Sequence, residues 1–149
     1  MVERSPEKAG VAGSIPALGI SSMRIMFLCV ENAGRSQMAE AFARKLGYPG
    51  LEVFSAGTQP AQLIHPIVEE VMQEAGMDLT RQIPKGLESL PNGVFDVAIQ
   101  MGCGDACPTH RAKKVIQWEI PDPKGQSKET VRKIRDLIEG KVRELLSEF

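Results

Sequence analysis

The apolar and polar positions fall into a regular order only from Met23 onward. Ile25-Met26-Phe27-Leu28 is an unbroken apolar run, which predicts a buried strand over residues 24–30. Met38, Ala39, Phe42, Ala43 and Leu46 then recur at helical spacing. A helix is therefore expected from about Ser36 to Leu46, stopped by Gly47. Leu51-Glu52-Val53-Phe54 predicts a second strand, closed by Ser55-Ala56-Gly57. Pro66 suits the first turn of a second helix, whose apolar positions Ile67, Val68, Val71, Met72 and Ala75 run up to Gly76. Pro84, Gly86 and Pro91 punctuate residues 77–92, which read as a loop with short turns. Phe95 to Met101 and Lys114 to Trp118 predict the third and fourth strands. Ser127 with Thr130 opens the last helix, with Val131, Ile134, Leu137, Ile138, Val142, Leu145 and Leu146 as its apolar stripe. Strands alternating with helices predict one α/β domain over residues 23–149: three layers, with a four-stranded parallel sheet covered on both faces and flanked by helices.

Composition narrows the class. The chain has 149 residues, enough for one domain with a proper core. Charged residues make up 25% and the net charge is −1, so no basic surface argues for nucleic acid or an anionic membrane. No apolar run approaches the length of a membrane span. Three cysteines is an odd count and does not suggest a disulfide framework, so a cytoplasmic protein with reactive thiols is expected; a monomer is the separate expectation for its assembly. Residues 1–22 are rich in small residues without a period and read as a flexible leader, with Met23 as a natural beginning. They do not read as a signal peptide, because Gly and Pro break the apolar stretch.

The candidate chemistry sits between the first strand and the first helix, in Cys29-Val30-Glu31-Asn32-Ala33-Gly34-Arg35-Ser36. Successive backbone N–H groups at a strand-to-helix turn form a nest for a tetrahedral oxyanion. Arg35 would add a planar, bidentate cation. The positive field of such a nest favours a thiolate, so Cys29 is the expected nucleophile. The alternative is a buried structural cysteine beside a helix-start serine. Parallel sheets bind ligands beyond the carboxyl ends of their strands. Cys29, Cys103 and Asp122 follow three different strands and so should converge on one edge. Cys103-Gly104-Asp105-Ala106-Cys107 leaves three readings open: a redox pair, inert buried thiols, or half of a zinc site that needs two more ligands, for which only His65 and His110 are available. Asp122-Pro123 is a rigid turn. Its carboxyl group is either an ordinary turn residue or a general acid over the oxyanion pocket.

Cys-x2-Asn-x2-Arg-Ser followed by Gln37-Met38-Ala39-Glu40 resembles the low-molecular-weight tyrosine phosphatases and the arsenate reductases that share their fold. With Ser55-Ala56-Gly57-Thr58, the Cys103/Cys107 pair and Asp122-Pro123-Lys124-Gly125, residues 24–149 are similar to the thioredoxin-coupled arsenate reductases. That resemblance implies arsenate held by Arg35, Ser36 and the backbone of residues 30–36, with attack by Cys29 and protonation of the departing hydroxyl by Asp122. It further implies that Cys103 attacks Cys29, that Cys107 attacks Cys103, and that thioredoxin reduces the resulting disulfide on an exposed loop. No cofactor is implied. A potassium site in that family is matched by Asn32 and Glu40, with Ser55 as a third candidate. Asn32 could equally pin the loop by hydrogen bonds.

Two rivals stand beside this reading. A tyrosine phosphatase would use Cys29, Arg35 and Asp122 in the same way, with water in place of Cys103. Such enzymes look to carry aromatic residues after the Asp-Pro, where this chain has Lys124-Gly125-Gln126. A non-catalytic thiol redox sensor would use Cys103 and Cys107 but leave Arg35 and Asp122 unexplained.

Overall fold

The computed structural model describes residues 23–103, 107 and 111–149; the proposed leader and the zinc candidate His110 lie outside these. In chain order the elements are β1 (Arg24–Cys29), α1 (Arg35–Leu46), β2 (Glu52–Gly57), α2 (Pro66–Glu74), a 3-10 turn (Leu87–Ser89), β3 (Phe95–Gln100), β4 (Ala112–Gln117) and α3 (Lys128–Leu146). The four strands form one parallel sheet in the order β2-β1-β3-β4. Central β1 is buried along nearly its whole length, as its unbroken apolar run requires of a strand covered on both faces.

The pleat separates two packed layers. Ile25, Phe27 and Cys29 face a core built from Met38 and Phe42 of α1, Val68 and Met72 of α2, and Ile134 and Ile138 of α3. Met26 and Leu28 face the other way, onto Ala56, Leu90, Phe95, Ala98, Cys103 and Cys107. Helices therefore cover one face. Among the described residues, Leu87, Leu90, Cys103 and Cys107 cover the second.

Four details depart from the expected pattern. β2 continues through Ser55, Ala56 and Gly57 instead of ending at Phe54, because all three pair in register with Phe27, Leu28 and Cys29. β1 and β3 stop one residue early, at Cys29 and Gln100, where the chain turns into the site. β4 begins at Ala112 and ends before Trp118, whose ring packs against Phe27 at 5.9 Å. Leu137 is 41% exposed, since α3 buries a narrower stripe on α1 and α2 than the apolar positions allow.

Candidate active site

The loop after β1 is built by its neighbours. Thr58, Gln59, Ala61 and His65 donate backbone N–H groups to the carbonyls of Cys29, Val30, Glu31 and Ala33, at 3.1, 2.7, 3.0 and 3.0 Å. A trans peptide points its C=O and N–H in opposite directions. Holding these carbonyls outward thus turns the amides of Val30, Glu31, Asn32 and Gly34 the other way. The Asn32 amide meets the Cys29 Sγ at 3.2 Å, as that geometry requires. Asn32 adopts φ 51°, a left-handed conformation that Asn tolerates better than most residues. α1 starts at Arg35 with no side-chain cap on Gly34 and no acidic residue in its first turn, so its N-terminal amides stay available to an anion.

Cys29 is a free, buried thiol. Its Sγ lies 2.8 Å from Ser36 Oγ. Ser36 also accepts the Asn32 Nδ2 at 2.7 Å, which leaves the serine's own hydrogen to donate to the sulfur. Together with Val30, Glu31, Ala33, Gly34, Arg35, His65, Asp122 and Lys124, Cys29 lines a pocket of about 180 Å³. Among the described residues, no Phe, Tyr or Trp lines it.

The Asp122 loop is anchored from behind. Trp118 and Ile120 are buried in the core, and the Ile120 carbonyl accepts Arg35 Nη1 at 3.2 Å. Arg35 Nη2 lies 3.8 Å from Asp122 Oδ2. Pro123 covers Gly34 so closely that a Cβ at that position would sit 2.8 Å from Pro123 Cγ. Lys124 pairs with Glu31 across the pocket mouth at 3.1 Å, and His65 Nε2 meets the same carboxylate at 3.3 Å. Asp122 is therefore brought to the Cys29 pocket, as the strand ends suggested. His65, Glu31 and Lys124 form a rim that no periodicity announced.

Gly102 runs the chain past Arg35 just before the other two cysteines. It adopts φ +99°, and a Cβ there would lie 2.9 Å from Arg35 Nη1, so the chain entering Cys103 runs against the guanidinium. Cys103 and Cys107 are joined as a disulfide with Cα atoms 5.6 Å apart, inside the usual range. The expectation of an exposed disulfide is not met. Both cysteines are buried against Met26, Leu28 and Phe95, because they complete the second face of the sheet. With the two sulfurs bonded to each other and His65 on Glu31, the described residues contain no cluster positioned to hold a metal ion.

The potassium candidates converge, but Asn32 turns its side-chain oxygen away from Ser55. The Lys85 backbone N–H and the Gln37 Nε2 both donate to Asn32 Oδ1, at 2.8 Å each. A main-chain N–H can only donate, so the oxygen of the Asn32 amide must face it. The amide nitrogen then faces Ser55 Oγ at 3.0 Å, and a nitrogen donor cannot ligate a cation. Asn32 pins the loop instead. Ser55 donates to the buried carboxylate of Glu40, and two positive charges of the chain itself flank that carboxylate: Arg44 Nη2 is 2.5 Å from Oε2, and Lys85 Nζ, on the Ser55 side, is 3.5 Å from Oε1.

The family model for low molecular weight phosphotyrosine protein phosphatases matches residues 24–149. The chain belongs to that family. A Halobacterium salinarum relative is 39% identical over 134 residues, covering 87% of this chain and 94% of the relative. The glutaredoxin arsenate reductase of a Synechocystis species is 34% identical, covering 85% of this chain and 98% of that protein. A solved structure described as an arsenate reductase in the phosphate-binding state superposes with a TM-score of 0.76 at 33% identity, covering 85% of this chain and 98% of that one. The thioredoxin-dependent arsenate reductase of Corynebacterium glutamicum gives a TM-score of 0.71 at 36% identity, covering 86% of this chain and 62% of that one.

Proposed function

We propose that this member of the phosphatase family reduces arsenate to arsenite by a three-cysteine relay. The observation that supports the reading is Gly102 against Arg35, with the first residue of a cysteine pair next in the chain. Phosphoester hydrolysis has no use for that pair, since it needs only a nucleophile, the nest, an acid and water. The names of the Synechocystis and Corynebacterium relatives support the same substrate.

In the proposed cycle, the Cys29 thiolate attacks arsenic held by Arg35 and the loop amides. Asp122 gives a proton to the departing hydroxyl, which leaves as water. The Cys103 thiolate then attacks the Cys29 sulfur. The new S–S bond forms as the S–As bond breaks, and arsenic leaves as arsenite with the electron pair. Cys107 attacks Cys103 and releases Cys29 as a thiolate. The Cys103–Cys107 bond with a free Cys29 corresponds to the oxidised end of this cycle. A dithiol reductant returns it to the start, and the bond's burial means the loop must open first. We take thioredoxin as that reductant and a reducing, cytoplasmic compartment as the setting.

The test is arsenate turnover by the wild-type chain with thioredoxin and its reductase, run beside glutaredoxin with glutathione and beside aryl phosphate hydrolysis. Arsenate turnover with thioredoxin, lost in Cys29→Ser, is expected. Turnover only with glutathione and glutaredoxin would change the partner. Brisk aryl phosphate cleavage with no arsenate turnover from any thiol donor would replace the reaction with phosphatase chemistry.

A further inference from the structure

Glu40 is 3% exposed at its side chain and lies beneath the anion loop, away from the pocket. Burying a carboxylate is costly unless it is paired and hydrogen-bonded. Arg44 meets one oxygen at 2.5 Å. The other oxygen accepts Ser55 Oγ and faces Lys85 Nζ at 3.5 Å, and that ammonium is also 3.4 Å from Ser55 Oγ. From Ser55 an unbroken chain of polar contacts leads to the nucleophile. Asn32 Nδ2 donates to Ser55 at 3.0 Å and to Ser36 at 2.7 Å, and Ser36 lies 2.8 Å from Cys29 Sγ.

We propose that Lys85 is a positioning residue for Cys29: its ammonium is the built-in cation of the Glu40–Ser55–Asn32–Ser36 network, and it makes the nucleophile loop independent of potassium. This deepens the reductase reading by naming what orients that reaction's thiolate. Lys85 fixes the loop twice. Its backbone N–H holds Asn32 Oδ1 at 2.8 Å, and its carbonyl accepts the Gly57 N–H at 2.8 Å, at the end of β2. Both main-chain contacts survive a side-chain substitution, so replacing Lys85 tests the ammonium alone. Without it, Ser55 and the outer oxygen of Glu40 lose their cation. Ser55 stays bonded to Asn32 but is no longer held in place by the ammonium, so the aim of the Asn32 amide at Ser36, and of the Ser36 hydroxyl at the Cys29 sulfur, loosens.

The test uses the Cys29 thiol directly, so it stands whether or not the chain turns over arsenate. The rate of iodoacetamide alkylation at Cys29, mapped by peptide mass, is compared in potassium chloride and in tetramethylammonium chloride at equal ionic strength. Wild type should alkylate at the same rate in both salts. Lys85→Ala should alkylate about 10-fold more slowly in tetramethylammonium, the scale of losing an outer-sphere partner. Potassium or methylammonium should restore most of that rate by filling the vacated place, and Lys85→Arg should stay close to wild type. Lys85→Gln serves as a neutral variant of similar length should Lys85→Ala fail to fold, and the same slow rate is expected of it. A wild-type rate in either neutral variant, or a potassium dependence in the wild type, would overturn the proposal. Where arsenate turnover is present, the same variants should lose kcat more than they raise KM, because Lys85 does not line the anion pocket.

Discussion

Arg35→Lys separates a bidentate oxyanion clamp from a mere positive charge. In the structure the guanidinium divides its five donors between two tasks. Nη1 holds the Ile120 carbonyl at 3.2 Å, while Nη2 lies on the pocket side, 3.8 Å from Asp122. A lysine ammonium is a point charge on a flexible stem and cannot serve the carbonyl and an anion in the same fork geometry. One charge-assisted hydrogen bond is then lost, worth about 1.5–3 kcal/mol. The Arg35 side chain is only 13% exposed, so solvent screening removes little of this. At 1.4 kcal/mol per decade, kcat/KM for arsenate should fall roughly 10- to 150-fold. The assay is steady-state arsenate turnover with a thiol reductant, paired with calorimetric binding of phosphate as a non-reducible stand-in. Phosphate affinity should fall in step with kcat/KM. A variant within twofold of wild type on both would refute the clamp and leave Arg35 as a brace for Ile120.

Two further predictions concern the frame. Gly102→Ala forces a side chain into a left-handed backbone and into Arg35, so it should destabilise the fold by about 1–3 kcal/mol in urea unfolding and lower arsenate turnover as well; a variant matching wild type in both would show that the cysteine segment does not press on Arg35. Glu74 is held to about pKa 2 by its paired hydrogen bonds to Arg132, below the ordinary 4.5, and its folded value is therefore depressed. Its contribution should be complete above pH 4.5 and vanish as pH falls through 2, so the Tm gap between wild type and Glu74→Gln should close over that window; a gap that persists below pH 2 would count against the pairing.

What could be read from the chain tracks where the determining forces are local. The apolar run of β1 and the helical stripes of α1 and α3 stand out because burial imposes a period on them. Cys29 and Arg35 were legible because a strand, a short loop and a helix fix their geometry within eight residues. Asp122 followed from the rule that strand ends share an edge. Ser55-Ala56-Gly57 misled because small residues usually signal a turn, whereas here they let β2 lie close beneath the loop: a Cβ on Gly57 would sit 2.5 Å from the Val30 carbonyl. Lys85 and Gln37 could not be found in advance. Their partners lie 45 or more residues away in several cases, and Lys85 sits in a stretch whose Pro and Gly residues carry no period. The burial of the Cys103–Cys107 pair depends on its packing against Met26, Leu28 and Phe95 across the sheet, a tertiary fact with no local mark.

The relay is tested most directly by one equivalent of arsenate added to fully reduced Cys107→Ser, followed by intact and peptide mass spectrometry. This variant retains the nucleophile, the anion loop, the acid and Cys103, and lacks only the final thiol. The relay predicts one equivalent of arsenite and a loss of two hydrogens mapped to a Cys29–Cys103 disulfide, with no second turnover when thioredoxin is the sole reductant. Full multiple turnover by both Cys107→Ser and Cys103→Ser under those conditions would contradict it, as would a variant that remains reduced while the wild type turns over.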